Sequence, residues 1–323
     1  MDPNARSTQS MTVEHWEAYY RSGAVATCPM GAESSYTLEL REVWLAFFAS
    51  LADGARVLDL GTGNGAIVLL AKEAASTTGR RFEIHGADLA SIDPARHVAN
   101  GAHLFEGVTF HPGTPCERLG FDEAYVDAVS AQYALEYTDI ATSLAEVWRV
   151  LRPAGRALFV LHHDHSTLIR SGRESLAQGA LVFEQTKILR KLRRHAAAER
   201  ESAAAARTTW ADLSADMMQL RQAAARSVAP HLLHVVIDGV QQLFGLRREL
   251  GIAAFEREVN RFERDVRAGV RRLQDLIHYA QSARQMEAVV ATARRIGFEC
   301  AGAELQYHAR ENLVGWRIAL TKL

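Results

Sequence analysis

The chain has 323 residues, of which 48% are hydrophobic and 23% are charged, and its formal net charge is −1 at pH 7. This balance is typical of a globular protein, and it excludes binding to nucleic acid or anionic membranes that is driven by net charge. Three widely spaced cysteines, Cys28, Cys116 and Cys300, do not suggest a disulfide framework. We find no apolar segment near the roughly 20 residues of a membrane span and no signal-peptide core, so we expect a cytoplasmic protein.

Two helices are predicted before the first strand, over residues 13–21 and 38–51. The second repeats apolar side chains at close to 3.6 residues, as a helix packed on a core does. The first carries the aromatic residues Trp16, Tyr19 and Tyr20. We interpret residues 1–37 as an N-terminal helical lid segment that could close over a ligand.

The stretch from residue 56 to residue 70 predicts a strand, a tight turn and a helix. Asp59 lies at the end of the apolar strand, and Gly61, Gly63 and Gly65 follow. Glycines permit positive φ angles and a close approach of the backbone to a ligand, and the helix that starts near Gly65 points unpaired N–H groups at the same place. A phosphate would be repelled by Asp59, so the acid indicates a cationic or hydroxyl-rich ligand.

Apolar strands and helices then alternate as far as residue 161. This rhythm predicts a parallel sheet with helices on both faces. The predicted strands are 82–87, 108–111, 125–131 and 156–161, the predicted helices are 94–100 and 140–151, and residues 153–155 are a predicted turn.

The rhythm stops over residues 166–282, which are rich in residues that favour helix. Helices are predicted there over 181–199, 209–225, 231–246 and 251–281, and the mild basic excess is interpreted as solvated helix faces. A helix over 286–296 and strands over 298–307 and 313–322 follow. We therefore predict an α/β, Rossmann-like domain of residues 38–165 and 283–323, with a seven-stranded, mainly parallel sheet and an antiparallel last strand. Residues 166–282 are an all-helical insertion, a cap or an oligomerisation unit.

Two kinds of ligand fit the glycines taken alone. The sequence Gly61-Thr-Gly-Asn-Gly-Ala66 satisfies the dinucleotide pattern, and Asp88 is at a plausible distance for an acid that binds a ribose. A nicotinamide-dependent oxidoreductase is therefore one alternative. Asp59 argues against it, because it lies where a pyrophosphate would approach.

Four motifs, in order, resemble class I S-adenosylmethionine-dependent methyltransferases of the small-molecule branch, which includes quinone-biosynthesis methyltransferases. They are residues 57–65, Asp88 after the second strand, residues 127–136 at the fourth strand, and residues 146–156 with the turn before the fifth. The resemblance covers about residues 40–162 and, more loosely, 284–323. It implies S-adenosyl-L-methionine as the cofactor.

The resemblance also implies which residues bind that cofactor. Asp59 would attract the cationic methionine end, and Asp88 would accept hydrogen bonds from the ribose. The family usually carries an acid after the third strand, but here Thr114 takes its place. The predicted cofactor-binding residues are Asp59, Gly61, Thr62, Gly63, Gly65, Asp88, Leu89, Thr114, Pro115, Gln132 and Tyr20.

Candidate catalytic residues follow the fourth and fifth strands, because ligands bind at the carboxyl ends of parallel strands. Tyr133 is predicted to lie beside the methyl group. In Leu161-His-His-Asp-His-Ser166, His162 and His165 are candidate general bases. The alternatives are a polar linker into the insertion or a metal site; the ligand spacing is tight and no remote ligand motif is evident, so we expect no metal.

These observations predict methyl transfer to a small-molecule acceptor, preferably O-methylation of a hydroxyl or carboxylate, with a role in secondary metabolism. The alternatives are a methyltransferase that acts on RNA, protein or peptide, and a non-catalytic adenosylmethionine-binding regulator. We expect no membrane or nucleic-acid partner, and a homodimer could form through the insertion. Residues 166–282 carry no motif that names the acceptor.

Overall fold

The computed structural model describes residues 13–26 and 37–323. The chain divides into two compact units. One combines the described residues of Met1–Ser166 with Tyr279–Leu323, and the other is Thr167–His278, close to the predicted insertion. Residues 1–12 and 27–36 of the predicted lid segment, with Cys28, lie outside the described residues.

The strands of the described residues all belong to one sheet in the first unit. In chain order they are β1 (Arg56–Leu60), β2 (Glu83–Asp88), β3 (Val108–Pro112), β4 (Val126–Gln132), β5 (Leu151–Leu161), β6 (Phe298–Glu299), β7 (Ala303–His308) and β8 (Asn312–Lys322).

The sheet confirms the predicted α/β class. Its order is β3-β2-β1-β4-β5-β8-β6, and β7 also pairs with β8. Strands β1 to β5 pair in parallel, whereas β8 runs antiparallel to β5. The sheet has eight strands instead of seven, because the predicted strand over 298–307 is interrupted between Glu299 and Ala303. Gly302 in this gap has a φ of 151°.

The helices of the described residues are α1 (Glu14–Tyr20), α2 (Leu38–Ala49), α3 (Ala66–Thr78), α4 (Pro94–His97), α5 (Gly101–Leu104), α6 (Ile140–Val150), α7 (Thr167–Ala180), α8 (Ile188–Glu201), α9 (Ala203–Arg226), α10 (His231–Leu246), α11 (Ile252–Tyr279) and α12 (Ala283–Ile296). A 3₁₀ turn covers Leu135–Tyr137, and a π-helical turn covers Leu181–Thr186. None of these helices is both long and apolar enough to cross a membrane.

Three local predictions need correction. The predicted helix over 94–100 is shorter, because α4 ends at His97, and the separate helix α5 begins at Gly101. The predicted turn over 153–155 is an irregular part of β5, where the register with β4 shifts and Ala154 has a φ of 60°. Helix α7 was not predicted, because glycine and serine weaken its helix signal.

The core of the first unit forms between the sheet and the helices that follow its strands. Phe159 on β5 is fully buried, as are Leu58 on β1 and Leu144 on α6. Each such side chain contributes about 1.5–3 kcal/mol by leaving water. Helix α12 adds Met286 and Ala293 to the same cluster. This packing fixes the carboxyl ends of the strands, where the predicted site residues lie.

The helical unit has a core of its own. Phe255 and Val259 on α11 are fully buried, and they cluster with Leu192 of α8, Leu213 of α9 and Leu233 of α10. The apolar face predicted from steps of three and four residues therefore packs inward within this unit.

Candidate functional site

The carboxyl end of β1 carries a buried acid. Asp59 is 2% exposed, and in the β1–β4 register it lies opposite Ser130, whose Oγ donates a hydrogen bond to Oδ1 of Asp59 at 2.7 Å. Burial raises the pKa of Asp59 to about 7, and the neighbouring Asp88 raises it further in the same direction. Burial has removed water from this carboxylate, so a nearby cation would stabilise its charged form. The site is therefore suited to a positively charged group.

A second buried acid ends β2. Oδ2 of Asp88 accepts a hydrogen bond from the backbone N–H of Gly63 at 2.8 Å, and Oδ1 accepts one from Ala90 at 2.8 Å. Burial raises the pKa of Asp88 to about 6, although these two bonds oppose the rise. The acid thus joins the glycine turn to the end of β2.

The glycine turn lies against helix α1. Gly63 has a φ of 51°, and a Cβ built on it would lie 2.7 Å from the ring of Tyr20. Only glycine avoids both the backbone strain and this contact. Tyr20 is buried, so the structure brings this predicted residue onto the glycine turn.

The other predicted cofactor residues lie around the same strand ends. Buried Thr62 donates its N–H to the carbonyl of Ala87 at 3.0 Å. Thr114 donates its N–H to the carbonyl of Asp88 at 2.8 Å, which places it next to the second acid, and Pro115 follows. Leu89, directly after Asp88, is 41% exposed.

Two further predicted residues contact other elements. Oε1 of Gln132 accepts a hydrogen bond from Trp44 of α2, and its buried Nε2 has no hydrogen-bond partner among residues 13–26 and 37–323. Gly65 starts α3 with a φ of 82°, and its missing Cβ leaves space for Phe105. Gly61 lies against Ala134, because a Cβ there would lie 2.3 Å from the Ala134 Cβ.

The acceptor atoms and the glycine turn of this site fit S-adenosylmethionine. A carboxylate oxygen has two lone pairs, and each oxygen of Asp88 uses one of them on a backbone N–H. One acceptor position per oxygen therefore remains for a ribose diol. Asp59 supplies a carboxylate for the cationic methionine end, and the glycine turn admits a close backbone approach.

A stacked pair of rings follows β4 and β5. The rings of Tyr133 and His162 are 4.0 Å apart and parallel to within 1°. Tyr133 has a φ of 55°, which is uncommon for a bulky residue, and its hydroxyl donates to the carbonyl of Val314 at 3.1 Å. His162 is 1% exposed, and burial lowers its pKa to about 3. The imidazole is therefore uncharged at neutral pH, so one of its ring nitrogens can accept a hydrogen bond.

The next three residues form a separate, more exposed group. Oδ1 of Asp164 lies 3.1 Å from Nδ1 of His163 and 2.8 Å from Nδ1 of His165. The side chain of His165 is 78% exposed, whereas His163 stacks on Trp316 at 4.5 Å. The two predicted bases therefore occupy different environments. These residues place one potential ligand atom each within 4.8 Å of one another, and the expectation of no metal stays a prediction.

Glu136 is a buried acid that the sequence analysis did not select. It is 1% exposed, and its Oε1 accepts a hydrogen bond from the backbone N–H of His162 at 2.7 Å. Burial raises its pKa to about 8. Its Oε2 has no hydrogen-bond partner in the part of the chain that the structure describes.

The model of a protein family, the methyltransferase domain, matches residues 58–159. This segment contains the glycine turn, the buried acids Asp59 and Asp88, and Glu136. The chain carries a class I S-adenosylmethionine-dependent methyltransferase domain. For this domain, the predicted resemblance and the predicted cofactor are confirmed.

Curated methyltransferases are similar to about a third of this chain. A demethylmenaquinone methyltransferase of Deinococcus radiodurans is 35% identical over 108 residues, which cover 32% of this chain and 42% of that protein. A ubiquinone/menaquinone biosynthesis C-methyltransferase, UbiE, of Geobacter sulfurreducens is 30% identical over 112 residues, or 34% of this chain and 42% of that protein. The chain thus spans less than half the length of these relatives.

Among solved structures, the YcgJ protein of Bacillus subtilis is 27% identical. The match covers 41% of this chain and 59% of that chain, with a TM-score of 0.32.

Asn64 is another residue of the methyltransferase domain that the sequence analysis missed. Its side-chain amide donates to the carbonyls of Tyr20 at 2.9 Å and Ala24 at 2.8 Å. Its place between two glycines of the turn was the available signal. For Glu136 the signal was an acid within an otherwise apolar stretch after β4.

Proposed function

We propose that this chain transfers a methyl group from S-adenosylmethionine to a small-molecule acceptor, preferably at a hydroxyl oxygen. The observation that carries the proposal is the pair of buried acids, Asp59 and Asp88, on either side of one glycine turn. A cation and a ribose diol satisfy this pair. A nicotinamide dinucleotide would bring its pyrophosphate toward Asp59, which disfavours the oxidoreductase alternative.

S-adenosylmethionine supplies an activated methyl group when it is bound. The chain's own residues then hold the donor and keep water away. Asp59 attracts the methionine end, Asp88 accepts the ribose hydroxyls, and Gly63 allows the backbone to approach. Fixing donor and acceptor in one geometry is the main rate contribution expected for a direct displacement.

A hydroxyl acceptor also needs a place for its proton. The Asp164–His165 pair supports this role, because the carboxylate orients an exposed imidazole at a distance of 2.8 Å. A carboxylate acceptor would need no such base. Replacing His165 therefore distinguishes these two acceptor classes.

Methylation at carbon is the second candidate. It is supported by the similarity of this chain to two quinone methyltransferases, one of which is named a C-methyltransferase. Methylation at oxygen and at carbon of a phenol both profit from removal of the hydroxyl proton. Product analysis separates them, because only the carbon product keeps a free hydroxyl.

The helical unit Thr167–His278 is proposed to serve oligomerisation. It exposes large apolar side chains, with Trp210 47% and Met218 61% accessible on α9. Light scattering of the full chain tests this role, and a monomer at all concentrations would refute it.

Passage over heparin or tRNA columns tests the alternative that the methyl acceptor is a nucleic acid, which predicts retention at moderate salt.

The proposed function is tested by isothermal titration calorimetry with S-adenosylmethionine and with NAD. We expect binding of the first and not of the second. A screen of phenols, carboxylic acids and quinols with mass detection then looks for a gain of about 14 Da per methyl, the mass difference between H and CH₃, in a direct displacement. Tight NAD binding without adenosylmethionine binding would refute the proposal.

A further inference from the structure

Two buried polar atoms near the ends of β4 and β5 lack hydrogen-bond partners. They are Oε2 of Glu136 and Nδ1 of His162, and neither has a partner among residues 13–26 and 37–323. Both residues are 1% exposed. Burying a polar group without a partner is costly, so such atoms in a folded protein call for an explanation by a ligand or an ordered water.

The two atoms belong to residues that are directly joined. Oε1 of Glu136 accepts a hydrogen bond from the backbone N–H of His162 at 2.7 Å, so the carboxyl group is held at the backbone of His162. One face of the imidazole ring stacks on Tyr133, with the ring centroids 4.0 Å apart. Tyr133 holds an uncommon backbone conformation, and such strain occurs often at ligand-binding sites.

Their position also points to a ligand. The segment that carries them begins at the carboxyl end of β4, where open parallel sheets bind ligands. Ala134, two residues before Glu136, is in contact with Gly61 of the cofactor turn. The pair therefore lies close to the proposed methyl donor.

We propose that Glu136 and His162 together bind the hydroxyl group of the methyl acceptor. A hydroxyl both donates and accepts a hydrogen bond. Before its proton is removed, it would donate to Nδ1 of His162 and accept from a protonated Oε2 of Glu136. This inference rests on the proposed function, and it goes beyond it by selecting a hydroxyl over a carboxylate.

The protonation states that burial favours agree with this arrangement. The pKa of Glu136 is raised to about 8 and that of His162 is lowered to about 3, so both are uncharged at pH 7. An uncharged acid supplies the donor and an uncharged imidazole supplies the acceptor. A carboxylate acceptor would meet no cation here, since neither group carries positive charge.

The test uses phenol, toluene and benzoate as probes of equal ring size, with S-adenosylhomocysteine present. Binding to the full chain is measured by ligand-detected NMR. We expect phenol to bind about tenfold more tightly than toluene or benzoate, because a site with buried polar groups rejects an analogue that leaves them unpaired. The absence of a phenol preference, including the absence of phenol binding, would overturn the proposal.

The variant H162F keeps the aromatic stack and the backbone bond to Glu136 but removes Nδ1. We expect it to lose the phenol preference, to keep its affinity for S-adenosylmethionine, and to be no less stable than the wild type. His308 provides a matched control, because it is also buried and its Nδ1 also lacks a partner in the described residues. The variant H308F should keep the preference, and retention of the preference in H162F would contradict the proposal.

A crystal structure of the wild type with phenol makes the test independent of whether H162F folds. We expect the phenol oxygen within 3.5 Å of both atoms, the outer limit of a hydrogen bond. A water between Glu136 and His162, with phenol bound elsewhere, would overturn the proposal. If adenosylmethionine binds but phenol is not preferred, only this inference fails; if adenosylmethionine does not bind, the proposed function fails.

Discussion

The substitution Asp59→Asn removes the charge at the end of β1 and keeps its shape. The asparagine carbonyl oxygen can accept the hydrogen bond that Ser130 Oγ gives to Oδ1 of Asp59 at 2.7 Å. We therefore expect the variant to fold. We also expect it to be more stable than the wild type at pH 8, because burial opposes ionisation of the native acid.

The size of this effect follows from the pKa of Asp59, which burial raises from 3.8 to about 7. A native acid with a raised pKa keeps a proton that the unfolded chain has released, so its contribution to stability falls as pH rises from about 4 to about 7. The difference corresponds to about 4 kcal/mol of unfolding free energy above pH 7. The Asn variant should lack this loss.

Cofactor affinity should change in the opposite direction. If the cationic donor binds the ionised form of Asp59, affinity follows the ionised fraction, which rises about tenfold between pH 6 and pH 8 for a pKa of about 7. The wild type should therefore gain about tenfold in affinity over this range. The Asn variant should bind weakly and without this gain.

Calorimetric titration with S-adenosylmethionine at pH 6, 7 and 8 measures both proteins, and urea unfolding at the same pH values gives their stabilities. The amino group of the methyl donor and the side chain of Asp88 titrate in both experiments, so the difference between the two proteins reports on Asp59. An identical pH dependence of affinity in the two proteins would refute the proposed contact. A wild type more stable than D59N at pH 8 would refute the burial argument.

Three further variants test the rest of the site. D88A should weaken adenosylmethionine binding by about 1–3 kcal/mol, or about 5- to 150-fold by calorimetry. The control variant D53A also removes an acceptor of a backbone N–H, but at the opposite ends of the strands, and it should leave this affinity unchanged. Equal effects of the two substitutions would argue against the ribose contact. G63A should cost about 1–3 kcal/mol in urea unfolding, because the Cβ meets Tyr20 and the φ is positive, and wild-type stability would contradict this. H165A should lower kcat at unchanged cofactor affinity for a hydroxyl acceptor, and an unchanged kcat would exclude His165 as the base.

The sequence was most informative where function depends on neighbours along the chain. Asp59 and the glycines lie within a few residues of one another, and the strand–turn–helix pattern places them without further knowledge. Asp88 follows from the same logic, because parallel strands end at one edge of a sheet. These residues could be predicted before any contact between them was known.

Residues whose role depends on distant partners could not be predicted. Glu136 accepts a hydrogen bond from the N–H of His162, 26 residues later. An acid in an apolar stretch could mark the residue, but the local pattern does not predict that bond. The predicted bases, His162 and His165, looked equivalent in sequence. Burial makes one an uncharged hydrogen-bond acceptor and leaves the other in solvent, and burial is a property of the packed fold.

Asn64 links the glycine turn to the end of helix α1 and the residues that follow it. One side-chain amide contacts the carbonyls of Tyr20 and Ala24 at once, so the turn and the end of α1 share one set of hydrogen bonds. A movement of the turn that admits or releases a ligand must carry α1 along or break both bonds. We therefore expect the exchange of a ligand at this turn to be coupled to movement of the helix.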